Sequence, residues 1–220
     1  MRVRLLAILL MSSTSVFALS TPDTRELVSD DLSRALLERE FIYAETDGTV
    51  PVTFCSAISV LQEPSFLDRV QEEYERTLPP GSRPEFTVQR SATNAWYYIN
   101  KKQERTDITE VADRVTGADT FDLAYYTQGR RFFGTYQALI HVRLARSGNE
   151  TGYTVAVYAY PENSFCRFFA RHLNLVEKYF REKTGEISET AVRISTRLCR
   201  EEDISPDQSL AATGHGPAPL

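Results

Sequence analysis

Histidine, cysteine and converging carboxylates carry most side-chain chemistry near neutral pH, and this sequence holds few of them. Its histidines are His141, His172 and His215. His172 sits within the apolar stripe that recurs from Phe165 to Phe180, His141 shares a strand face with Gln137 and Arg143, and His215 falls in a Pro- and Gly-rich tail. Two histidines in the folded part leave little room for a triad or a His-based metal centre. Glu72 and Glu73 are adjacent, but neighbouring residues on a helix do not face each other, so they do not converge. There is no G-x-S-x-G elbow, H-E-x-x-H, phosphate loop, G-x-G-x-x-G or EF-hand loop. The expectation is no catalytic residue, no metal and no cofactor.

The cysteines are Cys55, Cys166 and Cys199. No pair has the short spacing of a zinc site. In an oxidising compartment one bridge can form. Cys166–Cys199 is favoured, because Cys55 lies in the apolar run Val52 to Leu61 and reads as a buried free thiol. Closing a loop of about 33 residues would stabilise the fold by roughly 3–4 kcal/mol. The spacing leaves the other two pairings open.

An oxidising compartment is what the N-terminus implies. Arg2 and Arg4 precede the apolar run Leu5 to Met11, and Val16-Phe17-Ala18 offers a small-residue cleavage site. This is the pattern of a secretory leader over residues 1–18. It is too short to span a bilayer, which takes about 20 residues. The expectation is an exported protein of the periplasm or extracellular space, with no membrane span. The formal net charge is −5, and losing Arg2 and Arg4 makes it more negative. That argues against nucleic acid and anionic membrane surfaces as partners.

The elements that would position any site are read from periodicity. The spacing predicts a helix over 25–40, or two helices with the second starting at Asp30 or Asp31. A short strand at 41–44, a turn at Asp47-Gly48 and an edge strand near Val50 to Phe54 follow. Residues 55–62 read as helix, and Ser65 opens another that runs to Leu78. Glu85–Arg90 and Trp96–Asn100 are strands. Asp107-Ile108-Thr109-Glu110 reads as a capping box, with Ile108, Val111, Ala112 and Val115 at helical spacing. A meander follows: a strand at 121–126, a turn at 127–130, a strand at 131–146, a turn at 147–152 and a strand at 153–160. Ala138, Ile140, Val142 and Leu144 share one face; Gln137, Leu139, His141 and Arg143 share the other, which reads as a solvated face. Phe165, Phe168, Phe169, His172, Leu173, Val176, Tyr179 and Phe180 make one stripe of a long helix ending at Thr184-Gly185. Residues 190–199 suit a strand or a helix, with β-branched content favouring the strand. Residues 204–220 read as a disordered tail.

The fold class is therefore α+β, an antiparallel sheet of about five to seven strands covered by a long C-terminal helix. Residues 19–203 form one domain. The element order from Val50 to Lys183 resembles the START-like helix-grip architecture. That resemblance implies a cavity between the long helix and the sheet.

Aromatic residues concentrate between Trp96 and Phe180. A Tyr-rich sheet under a Phe-rich helix fits an amphipathic pocket or a core with a polar layer. The pocket reading makes the protein a binder of a small apolar or amphipathic ligand. Its candidate contacts are His172, Phe165, Phe168, Phe169 and Val176 on the helix, with Tyr125 and Tyr158 on the sheet. The alternative is a non-enzymatic module with a solid core that binds another cell-envelope protein.

Overall fold

The computed structural model describes residues 21–76, 78–84, 86–131, 134–164, 178, 192–194 and 196–197. Two short helices come first, α1 (Thr21–Leu27) and α2 (Asp31–Leu37). They are separate because Asp30 caps the second: its Oδ1 accepts the Ser33 N–H at 2.8 Å. Strand β1 (Ile42–Val50) follows, then α3 (Phe54–Gln62) and α4 (Phe66–Arg76). Thr53 caps α3 through the Ser56 N–H at 3.3 Å. Ser65 opens α4 as expected, but its hydroxyl donates to Glu63 at 2.6 Å, where a capping box would have it accept from the Asp68 N–H.

The rest of the described chain is a meander: β2 (Phe86–Ala92), β3 (Ala95–Asn100), β4 (Arg105–Val115), β5 (Thr120–Arg131), β6 (Gly134–Ser147) and β7 (Glu150–Pro161). These strands form one antiparallel sheet in the order β1-β7-β6-β5-β4-β3-β2. The α3–α4 pair thus carries the chain from one edge of the sheet to the other.

Directly paired residues share a face, so register sorts the side chains. Phe121, Leu144 and Tyr153 align, as do Tyr125, Ile140 and Val157. This face packs against Phe54, Ala57 and Val60 of α3, Phe66 of α4, and Ile194. Tyr126, Leu139 and Tyr158 align on the other face. There they meet Leu27 and Val28, at the end of α1, and Leu36 and Leu37 of α2. Burying each of those leucines contributes about 2 kcal/mol. The face that carries His141, expected to be solvated, is instead roofed by the N-terminal helices.

Four further expectations are corrected. Residues 105–115 are a strand, not a helix. Strand β5 pairs along Thr106–Val115 and β3 along Arg105–Thr109, which satisfies this backbone in extended form, and tertiary pairing overrides a local capping signal. The Asp47-Gly48 and Thr127–Arg130 segments are strand, not turn. Their glycines serve close approach instead: a Cβ on Gly48 would strike the Tyr153 ring, and one on Gly129 would lie 2.2 Å from Thr106 Oγ1. Val192–Ile194 and Thr196–Arg197 are helical. The Thr196 hydroxyl donates to the Val192 carbonyl at 2.7 Å, one turn back. Cys55 is exposed, not buried, since the buried side of α3 belongs to Phe54, Ala57 and Val60. The leader, the long helix at 165–183 (apart from Lys178, which is helical), the tail, and both Cys166 and Cys199 lie outside the described residues.

Gly129 gives the sharpest test of this register. Gly129→Ala should destabilise the protein by about 1–3 kcal/mol, because the new methyl also meets the Thr106 backbone. Urea unfolding followed by circular dichroism measures it. An unchanged midpoint would mean that β4 and β5 are not paired in this register.

Candidate functional site

A recess of about 180 Å³ opens where the α3–α4 junction meets the sheet. Leu61, Gln62, Glu63, Pro64, Phe66 and Leu67 come from the helical side, and Asn94, Trp96, Glu110, Asp113 and Tyr125 from β3–β5 and the turn before them. Two local devices bring the sheet residues together. Asn94 takes the left-handed conformation (φ 55°) that closes the tight β2–β3 turn. Its carbonyl accepts the Glu110 N–H at 2.9 Å. The second device is a β-bulge in β4, where the register shifts between Glu110 and Ala112. In a regular strand, residues three apart point to opposite faces. The extra residue at Val111 resets the alternation, so Glu110 pairs with Tyr125 and Asp113 with Leu123, on one face.

The carboxylates of the lining are held differently. Glu63 forms an ion pair with Arg69. The Ser65 hydrogen bond, opposed by burial and joined by Arg69, holds it below the usual carboxylate range. Asp113 accepts from the Gln62 amide at 3.1 Å. Glu110 has no side-chain hydrogen bond or ion pair among the described residues. Burial, and then the negative charge of Asp113, push its carboxyl up. The same causes push the Tyr125 phenol up: burial first, then Glu110 and Asp113. The wall beside them is aromatic, with Trp96 and Tyr125 edge to face at a centroid distance of 6.5 Å. Trp96 is 4% exposed, and its indole N–H has no acceptor among the described residues.

A second polar cluster lies on the opposite face. His141 Nε2 is 2.8 Å from Asp122 Oδ1, and His141 Nδ1 is 2.9 Å from the Thr24 hydroxyl. Thr24 Oγ1 is also 2.9 Å from the Tyr158 hydroxyl. A carboxylate only accepts, so Nε2 carries the proton toward Asp122, and neutral Nδ1 accepts from Thr24. The Thr24 hydroxyl thus bridges the imidazole and the Tyr158 hydroxyl. Arg143 Nε donates to Asp122 at 2.7 Å, and the Thr116 hydroxyl also donates to that carboxylate. Burial alone would push Asp122 up. The bonds from His141, Arg143 and Thr116 outweigh it and hold the carboxyl well below the usual range.

This hydroxyl–imidazole–carboxylate array has the residue types of a nucleophilic triad, but no route to a substrate. Thr24 and His141 are fully buried and Asp122 is 1% exposed. What the array does is fasten α1 to the sheet, joining residues 117 apart in sequence. Among the described residues no group of His, Cys, Asp and Glu could hold a metal ion.

Of the ligand contacts expected from the sequence, Tyr125 lines the recess. Tyr158 does not: register puts it on the opposite face, bonded to Thr24. A single pocket cannot use both. His172, Phe165, Phe168, Phe169 and Val176 lie outside the described residues. Periodicity missed Trp96, Glu110 and Asp113 as a group because it read residues 107–115 as a helix. Asp122, His141 and Arg143 were findable. They share strand parity, and an acid facing two bases across neighbouring strands is a pairing signal.

No family model matches this chain, and no curated protein matches it. Solved structures do. A conserved protein from Geobacillus kaustophilus is 13% identical, with 72% of this chain and 96% of that one covered and a TM-score of 0.46. Ara h 8.0201 is 10% identical, with 74% and 99% covered and a TM-score of 0.47. A norcoclaurine synthase from Thalictrum flavum is 12% identical, with 75% and 99% covered and a TM-score of 0.44. Similarity at this level says nothing about the recess or its residues.

Two carboxylates give opposite expectations. Asp122 is held below its unfolded value, so its stabilisation is complete above about pH 4 and is lost as pH falls through the folded value. Asp122→Asn should destabilise the fold at pH 7 by about 3 kcal/mol, because it breaks a buried charged pair. It should also flatten the loss of stability on acidification, as read from urea midpoints at pH 7 and pH 3. Glu110 is raised, so what it contributes is present at low pH and is lost as pH rises through the folded value. Glu110→Gln should raise Tm at pH 7 by about 1–3 °C, with the gain fading near pH 4. Differential scanning calorimetry that found Glu110→Gln destabilised at pH 7 would show that Glu110 has a partner in the folded protein.

Proposed function

We propose that this protein is a non-catalytic binder of a small amphipathic molecule, held in the recess between the α3–α4 junction and β3–β5. The observation that carries this reading is the composition of that recess. Its lining joins aromatic and aliphatic side chains (Leu61, Phe66, Leu67, Trp96, Tyr125) to polar ones (Gln62, Glu63, Asn94, Glu110, Asp113), and the Glu110 carboxylate has no side-chain partner among the described residues. A concave site where an apolar body and polar groups converge suits an amphipathic molecule. A cavity of roughly 150 Å³ takes one benzene ring. At about 180 Å³ this one suits a single ring with a short polar arm.

The non-catalytic part of the reading rests on access. The one hydroxyl–imidazole–carboxylate array among the described residues is sealed beneath α1, away from the recess. The strand order, with two helices crossing from edge to edge, supports a helix-grip arrangement in which ligand sits between helices and sheet. The composition of residues 1–18 supports export, so the ligand would be met outside the cytoplasm.

The protein has one tryptophan, so the indole resonance of Trp96 in a ¹H–¹⁵N spectrum is a unique reporter of the recess. Titration with 2-phenylethylamine, 2-phenylethanol and phenylacetate should shift it saturably with at least one of the three. Leu67→Phe, which fills the recess, should weaken that binding about tenfold with the rest of the spectrum retained. If none of the three moves the Trp96 resonance, the recess is not a ligand site.

A further inference from the structure

We infer that the recess selects a small organic cation, a protonated amine borne on an aromatic or aliphatic body. This rests on the recess being a ligand site, as proposed above, and adds the charge that the ligand must carry. The argument is one of electrostatic accounting within the lining. Glu63 is already neutralised by Arg69, and Asp113 is partly satisfied by the Gln62 amide. Glu110 is left, half-buried, beside Asp113 and without a cation. No lysine or arginine contributes to the lining. The Arg90 guanidinium beside the wall stacks over Trp96 at 5.6 Å and is engaged by the Pro64 carbonyl and by Asp68.

A carboxylate withdrawn from water beside a second acid is unfavourable unless a positive group joins it. Nothing among the described residues supplies one. The bulge at Val111 makes the arrangement specific, because without it Asp113 would point to the other face. An ammonium entering the recess would meet Glu110 and Asp113 on one side and the faces of Trp96 and Tyr125 on another. Aromatic faces attract cations and apolar bodies alike. An anion would meet the same two acids, with no cationic side chain in the lining to offset them. A neutral alcohol would gain the wall and a weaker hydrogen bond.

The phenyl series separates the two readings, since its members share a ring and differ in charge. The ammonium should bind at least about tenfold more tightly than the alcohol, the margin of a charge-assisted over a neutral hydrogen bond. Phenylacetate should bind most weakly. Glu110→Gln should remove the preference for the ammonium and leave the alcohol's affinity within about twofold. Glu45→Gln makes the same charge change on the opposite sheet face and should leave the preference intact, which excludes a general effect of net charge. If the alcohol binds as tightly as the ammonium, or if Glu110→Gln keeps the preference, the cation inference fails and the ligand site stands. If no member binds, both fall.

Discussion

A single antiparallel sheet with two apolar faces must be covered twice, and this constraint organises the molecule. Neither face can be left to water, because Phe121, Leu123 and Leu144 lie on one, and Ala124, Leu139 and Ala156 on the other. The chain meets the demand with short helices from two different places in the sequence. The segment before β1 roofs one face. The crossing between β1 and β2 covers part of the other. Each helix is too short to be stable alone, so it exists because the sheet gives it an apolar surface to bury.

Covering the second face carries a polar burden. Asp122, His141 and Arg143 sit on it, and a roof over them removes their water. An unpaired buried charge would be prohibitive. The carboxylate is instead ringed by His141, Arg143 and Thr116, and the imidazole passes the chain of bonds to Thr24 and Tyr158. The array has the residue types of a catalytic group, yet its burial and full pairing make it a fastening. Such networks fix how an element docks more than they add net stability. Here the element fixed is α1, which offers few apolar side chains of its own to specify its position.

The face under α3 and α4 shows the converse. Two polar groups there have no partner among the described residues: the Glu110 carboxylate, pushed up by burial and by Asp113, and the indole N–H of Trp96. Unsatisfied groups clustered at a recess are unfavourable to the fold and useful to a site. His, Asp and Thr together would ordinarily draw attention first, but His141, Asp122 and Thr24 are bonded to one another and sealed from solvent. Glu110 and Trp96, which no motif marks, lack side-chain partners among the described residues and line a recess.

The sequence by itself determined the three-stranded meander from 121 to 160, which of its side chains share a strand face, and a helix opening at Ser65, while it favoured a helix at 55–62 and left the split near Asp30 open. All of these follow from periodicity and capping within about a dozen residues, where backbone geometry alone sets the pattern. Only the tertiary structure decided that residues 105–115 are a strand. Ile108, Val111, Ala112 and Val115 have helical spacing, but strand pairing divides them: Ile108 lies opposite Thr127 and Val115 opposite Phe121 on one face, while Ala112 lies opposite Ala124 on the other. The tertiary structure likewise decided that Gly48 and Gly129 serve close packing and not turns, that Tyr125 and Tyr158 lie on opposite faces, and that His141 is buried. Each of these depends on a partner far along the chain: Tyr153 for Gly48, Thr106 for Gly129, Thr24 for His141. Local pattern can say which way a side chain points. What it meets there is fixed by register and docking, which no local window contains.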